Sequence, residues 1–219
     1  DLDNYTLSYS SQYIQSNAQI LADMINTVIV ATYDGSTKAT PLPGYEVIDS
    51  LYLDEKNDEN RLFGLILLDK ESKNLVIVFR GTQTKYEWML DQQVCQTKWN
   101  GGRVASGFYQ AFLSNQEKIQ KALKLHKKVP NIWIAGHSIG AAVATITAYD
   151  ILLESKEKNQ TLSCYTFGSP RVLNLQLASQ FKKAMEDDNL VSFRVVNIAD
   201  SVPSVPPAST TEPFYEHVG

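Results

Sequence analysis

The chain has 219 residues, of which 43% are hydrophobic and 20% charged, with a formal net charge of -4 and a pI near 5.4. That is room for one α/β domain burying roughly 70% of its extended-chain surface, and it is ordinary globular usage, which excludes disorder and fibrous repeats. Lys and Arg are scattered without a basic stripe, so the footprint of a nucleic-acid binder is missing and charge-driven docking on anionic lipid is disfavoured.

In chain order, apolar Ile14, Ala18, Leu21, Ile25 and Val28 alternate spacings of four and three, predicting an amphipathic helix from about Ser11 to Val30. Gly35 to Gly44, with Pro41 and Pro43, marks a loop. The runs Tyr45 to Leu53, Arg61 to Leu68 and Leu75 to Phe79 read as strands, the last two joined by the polar turn Asp69 to Asn74, an antiparallel start to a sheet. Arg80-Gly81-Thr82 follows, either a plain turn or a place where a backbone N–H faces a reacting oxygen. After a polar and aromatic stretch, Val94 to Trp99 and Arg103 to Ala105 flank the hairpin turn Asn100-Gly101-Gly102. Phe108 to Lys128 is a long amphipathic helix stopped by Pro130. From Asn131 strands and helices alternate: strands at 131–135, 161–167 and 190–198, helices at 139–154 and 174–187, implying parallel pairing with right-handed crossovers. The predicted fold is therefore a mixed, mostly parallel sheet flanked by helices on both faces, one domain over residues 1–219.

No apolar run approaches the eighteen or so residues of a membrane span, and no basic segment precedes an apolar core at the start, so neither a transmembrane helix nor a signal peptide is predicted. The chain begins at Asp1 rather than Met, which reads as a processed or trimmed start. Cys95 and Cys164 lack the C-x-x-C spacing of a zinc or redox site and leave pairing open; no metal or organic cofactor is called for. Asn4-Tyr-Thr6 and Asn159-Gln-Thr161 fit a glycosylation pattern that chance supplies at this Asn content. The compartment stays open, with a soluble, secreted protein favoured over a cytoplasmic one and a monomer the expected state.

Chemistry concentrates at Gly136-His-Ser-Ile-Gly140, a G-x-S-x-G between an apolar strand and a helix-compatible run, the context a nucleophile elbow requires. A serine hydroxyl needs a base. Of three histidines, His137 lies in the elbow pointing away from the hydroxyl and His126 on a solvated helix end, leaving His217 by elimination. The orienting carboxylate belongs at the end of a later strand. Asp200 follows the strand that ends near Ile198, whereas Asp150, Asp187 and Asp188 fall on helices or helix ends. The chain order Ser138, Asp200, His217 is that of the α/β-hydrolases.

Val78-Phe-Arg-Gly-Thr82, Ala135-Gly-His-Ser-Ile-Gly140, Tyr165-Thr-Phe-Gly-Ser-Pro-Arg-Val172, Asn197-Ile-Ala-Asp-Ser-Val-Pro203 and Tyr215-Glu-His-Val-Gly219 together resemble the class 3 lipases, the group that contains the filamentous-fungal triacylglycerol lipases. The resemblance spans nearly the whole chain, and its Phe167 to Arg171 and Asp200 to Pro203 segments are more specific than the elbow. It implies an α/β-hydrolase fold, a triad of Ser138, His217 and Asp200, and an oxyanion hole from the backbone N–H groups of Thr82 and Ile139. The second donor also follows from physics, because the residue after the nucleophile opens a helix with a free N–H. It further implies a lid at about 83–92, with Tyr86, Trp88, Met89 and Leu90 covering the site in water and meeting lipid at an interface. The implied substrate is an acylglycerol ester, with phospholipase A1, galactolipase and aryl-ester esterase as alternatives and a catalytically silent lipid-binding protein as the different-class alternative. Family members continue past the histidine where this chain ends two residues later, so either the chain is trimmed or His217 is held less firmly.

Overall fold

The structure is a computed structural model that describes residues 5–55, 59–81, 95–154, 160–187, 190–197, 202–204 and 215–218. Helix α1 (Gln15–Tyr33) is followed by strands β1 (Tyr45–Glu55), β2 (Glu59–Asp69) and β3 (Leu75–Phe79), then a small hairpin of β4 (Gln96–Trp99) and β5 (Gly102–Ala105). Next come α2 (Ser106–Leu125), β6 (Asn131–His137), α3 (Ile139–Glu154), β7 (Thr161–Phe167), α4 (Leu175–Glu186), β8 (Val191–Val195) and a 3-10 turn, Val202–Ser204. The six-stranded sheet has the order β1-β2-β3-β6-β7-β8; β1, β2 and β3 pair antiparallel, and β3, β6, β7 and β8 run parallel.

The central strands read as unbroken apolar runs because helices cover both faces, and alternation decides which side chain serves which face. Along β3, Leu75, Ile77 and Phe79 join one core with Phe108, Phe112 and Ile119 of α2 and Val143 and Ile146 of α3. Val76 and Val78, with Trp133 and Tyr165 of β6 and β7, face the opposite way onto Leu21, Met24, Ile25 and Val28 of α1. Helix α3 has no polar face over most of its length: every residue from Ile139 to Ile151 is buried.

Differences from the predicted boundaries have local causes. Helix α1 starts at Gln15 rather than near Ser11 because Asn17 turns its amide back onto Ser8, donating to its carbonyl (2.8 Å) and accepting from its N–H (3.1 Å). It runs on to Tyr33 and stops at Gly35, whose φ of 66° only glycine adopts without strain. The first hairpin extends two residues further along each strand, and its register shifts between Val47 and Asp49 and breaks again between Leu51 and Tyr52. Buried Asn115 of α2 closes that break, its side chain accepting from Tyr52 N (2.9 Å) and donating to Tyr52 O (2.8 Å). Strand β8 ends at Val195, short of the predicted 198.

Candidate active site

Strand β6 lies between β3 and β7 in the sheet, and the chain leaves it through Ser138, whose φ is +54°. A non-glycine residue in this left-handed region costs about 1–2 kcal/mol, a strain tolerated where surrounding structure fixes it. Here Ser138 N donates to Phe167 O (2.9 Å), and Ser138 O receives Ala141 N (2.9 Å) and Ala142 N (3.3 Å) to open α3. The turn admits only glycine on either side. A Cβ at Gly136 would lie 2.6 Å from Ala141 N, and one at Gly140 would lie 2.6 Å from Phe79 O and 2.8 Å from the Arg80 carbonyl carbon. These contacts give the G-x-S-x-G spacing a steric reason: strand, helix and the end of β3 meet backbone to backbone.

Ser138 is half-buried and Ile139 fully buried, the latter the first residue of α3 and so among those whose N–H has no partner within the helix. Beyond β3, Gly81 lies against the elbow: a Cβ there would be 2.9 Å from His137 Nδ1 and 3.2 Å from Ser138 Cβ. Arg80, 1% exposed, fixes this approach, donating through Nε to Leu62 O (2.6 Å) and through Nη1 to Gly81 O (2.7 Å). Sequence reasoning passed over Arg80; a cation at the end of a wholly apolar strand was the available signal.

His217 lies on a segment tied down on both sides. Glu216 N donates to Leu173 O (2.9 Å) in a bridge, and Leu173 bridges in turn to Val104 of β5. Tyr215 and Val218 are buried in the core that contains α3, and Lys182 of α4 stands 3.6 Å from the Glu216 carboxylate. The segment that carries His217 is therefore anchored among the described residues, which disfavours the second of the two alternatives, a loosely held His217. Its Nε2 donates to Pro203 O at 2.6 Å, which assigns the proton to Nε2 because a carbonyl only accepts. Burial lowers the His217 pKa below the usual 6.5; the Pro203 bond opposes this, Arg194 and Arg171 lower it further, and Glu216 raises it. The balance of these effects favours the neutral imidazole.

The other candidates separate by position. Asp150 sits twelve residues beyond Ser138 on α3, about 18 Å along the axis at 1.5 Å per residue, facing Gln116 of α2. Asp187 caps α4 in an exposed pair with Lys183 (3.0 Å), and His126 caps α2. Asp188, Asp200, Thr82 and the segment 83–92 with Tyr86, Trp88, Met89 and Leu90 lie outside the described residues. Cys95 is exposed and Cys164 buried, both as free thiols; burial pushes Cys164 up to about 12. Among the described residues no group of three or more His, Cys, Asp or Glu could hold a metal ion, and no helix is long and apolar enough to cross a membrane.

A mostly parallel sheet between helical layers, with a strained serine at the turn from a central strand into a helix, defines an α/β-hydrolase. The family description Lipase (class 3) matches residues 76–210, more than half of the chain, and the chain belongs to that family. It is 30% identical over 158 residues to Lipase ZK262.3 of Caenorhabditis elegans, covering 67% of this chain and 42% of that protein. It is also 30% identical over 175 residues to Phospholipase A1-Igamma3, chloroplastic, of Arabidopsis thaliana, covering 65% and 32%. The chain thus spans less than half the length of these relatives. Among solved structures, the Rhizomucor miehei triacylglyceride lipase superposes with a TM-score of 0.71 at 24% identity, covering 94% of this chain and 80% of the other. The mono- and diacylglycerol lipase of Aspergillus oryzae gives 0.71 at 23%, covering 95% and 79%. At those identities the likeness speaks for the fold.

Proposed function

We propose that this chain is one hydrolytic domain that cleaves carboxylic ester bonds of acylglycerols through an acyl-enzyme on Ser138. The observation that carries the reading is the elbow: Ser138 at φ +54°, held against Gly81 and the start of α3. The hydroxyl attacks the ester carbonyl while His217 takes its proton, with Asp200 orienting the imidazole and stabilising its charged form. The tetrahedral oxyanion is received by the N–H groups of Thr82 and Ile139, each such donor being worth about 3 to 4 kcal/mol. Collapse expels the alcohol with the proton from His217. Water, deprotonated by the same imidazole, then attacks the acyl-serine and releases the acid.

For Nε2 to serve Ser138 it must leave Pro203 O. To act as base the imidazole must both turn and change tautomer, carrying its proton on Nδ1, the nitrogen proposed to face Asp200, so that Nε2 presents a lone pair to Ser138. Tyr86, Trp88, Met89 and Leu90 are the proposed lid face, meeting lipid at an interface.

Relatives named as a phospholipase A1 and a galactolipase make head-group choice the open variable. A turnover panel of p-nitrophenyl esters, triacylglycerol emulsion, phospholipid vesicles and galactolipid addresses it. Ser138→Ala lowers kcat on the order of a millionfold on whichever substrate is turned over. Appreciable turnover by a folded Ser138→Ala protein refutes the nucleophile.

A further inference from the structure

Residues 167–173, between β7 and α4, touch each part of the site in turn. Phe167 O accepts from Ser138 N, and Gly168 N donates to Val195 O at the end of β8, both at 2.9 Å. Arg171 Nη1 donates to Ser204 O at 2.7 Å, and Leu173 O receives Glu216 N at 2.9 Å, one residue from His217. Arg171 is the one charged residue in this stretch. The carbonyl it holds neighbours the Pro203 carbonyl that engages His217 Nε2, so a displacement of the 202–204 turn reaches the imidazole directly.

We propose that Arg171 is a positioning residue for His217: through Ser204 O it fixes the 202–204 turn whose Pro203 carbonyl meets the imidazole. The inference rests on His217 being the base. The charged groups facing His217 among the described residues are Arg171 on this loop, Arg194 on β8 and Glu216 on its own segment, the last paired with Lys182 of α4. Both arginines disfavour the imidazolium, and Arg171 is itself partly desolvated and repelled by Arg194. Removing either positive charge therefore moves protonation of His217 to higher pH. Lysine at 171 keeps the charge and loses the planar fork that reaches a carbonyl at a fixed angle.

The test measures kcat and KM on p-nitrophenyl butyrate from about pH 4.5 to 9 for wild type, Arg171→Gln, Arg171→Lys, Arg194→Gln and His217→Ala, with circular-dichroism melts on each. Arg171→Gln loses kcat about ten- to a hundredfold with KM changed less than about twofold, and the acid limb of kcat/KM moves to higher pH. Arg171→Lys recovers part of kcat and keeps the wild-type limb. Arg194→Gln, with the Ser204 tether intact, moves the limb in the same direction. A folded Arg171→Gln with wild-type kcat and limb overturns the inference, as does equal loss in the Gln and Lys variants with an unmoved limb. Should Arg171→Gln not fold, an unmoved limb in Arg194→Gln overturns it. His217→Ala separates the two readings: turnover retained there refutes His217 as base, whereas a dead His217→Ala beside a wild-type-like Arg171→Gln refutes only the role of Arg171.

Discussion

Gly140→Ala probes the meeting of elbow and oxyanion strand with one methyl group. The added Cβ would sit 2.6 Å from Phe79 O, closer still to Arg80 O, and 2.8 Å from the Arg80 carbonyl carbon, all backbone atoms that no rotamer change can remove. Relief to an ordinary contact of about 3.4 Å separates the end of β3 from α3 by about 0.8 Å at Phe79 O, with the larger shift at Arg80, next to Gly81. Overpacking of this kind costs about 1–3 kcal/mol, measurable by urea unfolding. Displacing the proposed oxyanion donor, Thr82, by a sizeable fraction of an ångström lowers kcat on p-nitrophenyl butyrate by on the order of a hundredfold, with KM little changed. Gly35→Ala is the control: its Cβ meets nothing within 4 Å, but φ is +66°, so it loses about 1 kcal/mol of stability and keeps its turnover. A folded Gly140→Ala enzyme with wild-type kcat would refute the coupling between elbow and oxyanion strand.

Two further changes test the frame around the site. Burial raises Asp150 from 3.8 to about 6, with Gln116 opposing and Glu154 adding to the effect; that difference corresponds to about 3 kcal/mol disfavouring the folded state above pH 6, fading as pH falls towards 3.8. Asp150→Asn therefore stabilises the fold by about 1–3 kcal/mol at pH 8 and by little at pH 4, and equal effects at both pH values by urea unfolding would contradict the cause assigned. Asn115→Ala strips both partners from Tyr52 at the break in β1 and costs about 2–4 kcal/mol by the same measurement, while the folded variant keeps its turnover; a loss under 0.5 kcal/mol would mean water replaces the amide.

The mixed, mostly parallel sheet was legible because the strands carry little competing signal. Leu75 to Phe79 and Ile132 to Ala135 are apolar throughout, and the alternation of strands with helices after Asn131 admits few topologies. Boundaries were less legible where side chains cap or patch the backbone: Asn17 delays α1 and Asn115 binds Tyr52 of β1 where Phe63 of β2 is the extra residue, and neither amide announces its partner nine or sixty-three residues away. At the site, Ser138 stood out because glycine on both sides leaves a pattern. The brace behind it did not. Arg80 and Arg171 act through backbone carbonyls of Leu62, Gly81 and Ser204, and a carbonyl is present at every position, so nothing in its residue type marks the one being held.

The bridge from Val104 through Leu173 to Glu216 joins three stretches far apart in the chain, and synthesis delivers them at different times. When Val195 has been added, all six strands of the main sheet and the strained serine are already encoded in the nascent chain, yet the imidazole is not. At 5–20 residues per second the stretch to His217 takes about 1 to 4 s. During that interval the elbow can form and pack before the proposed base, His217, has been made, so the strained serine precedes its proposed partner in synthesis.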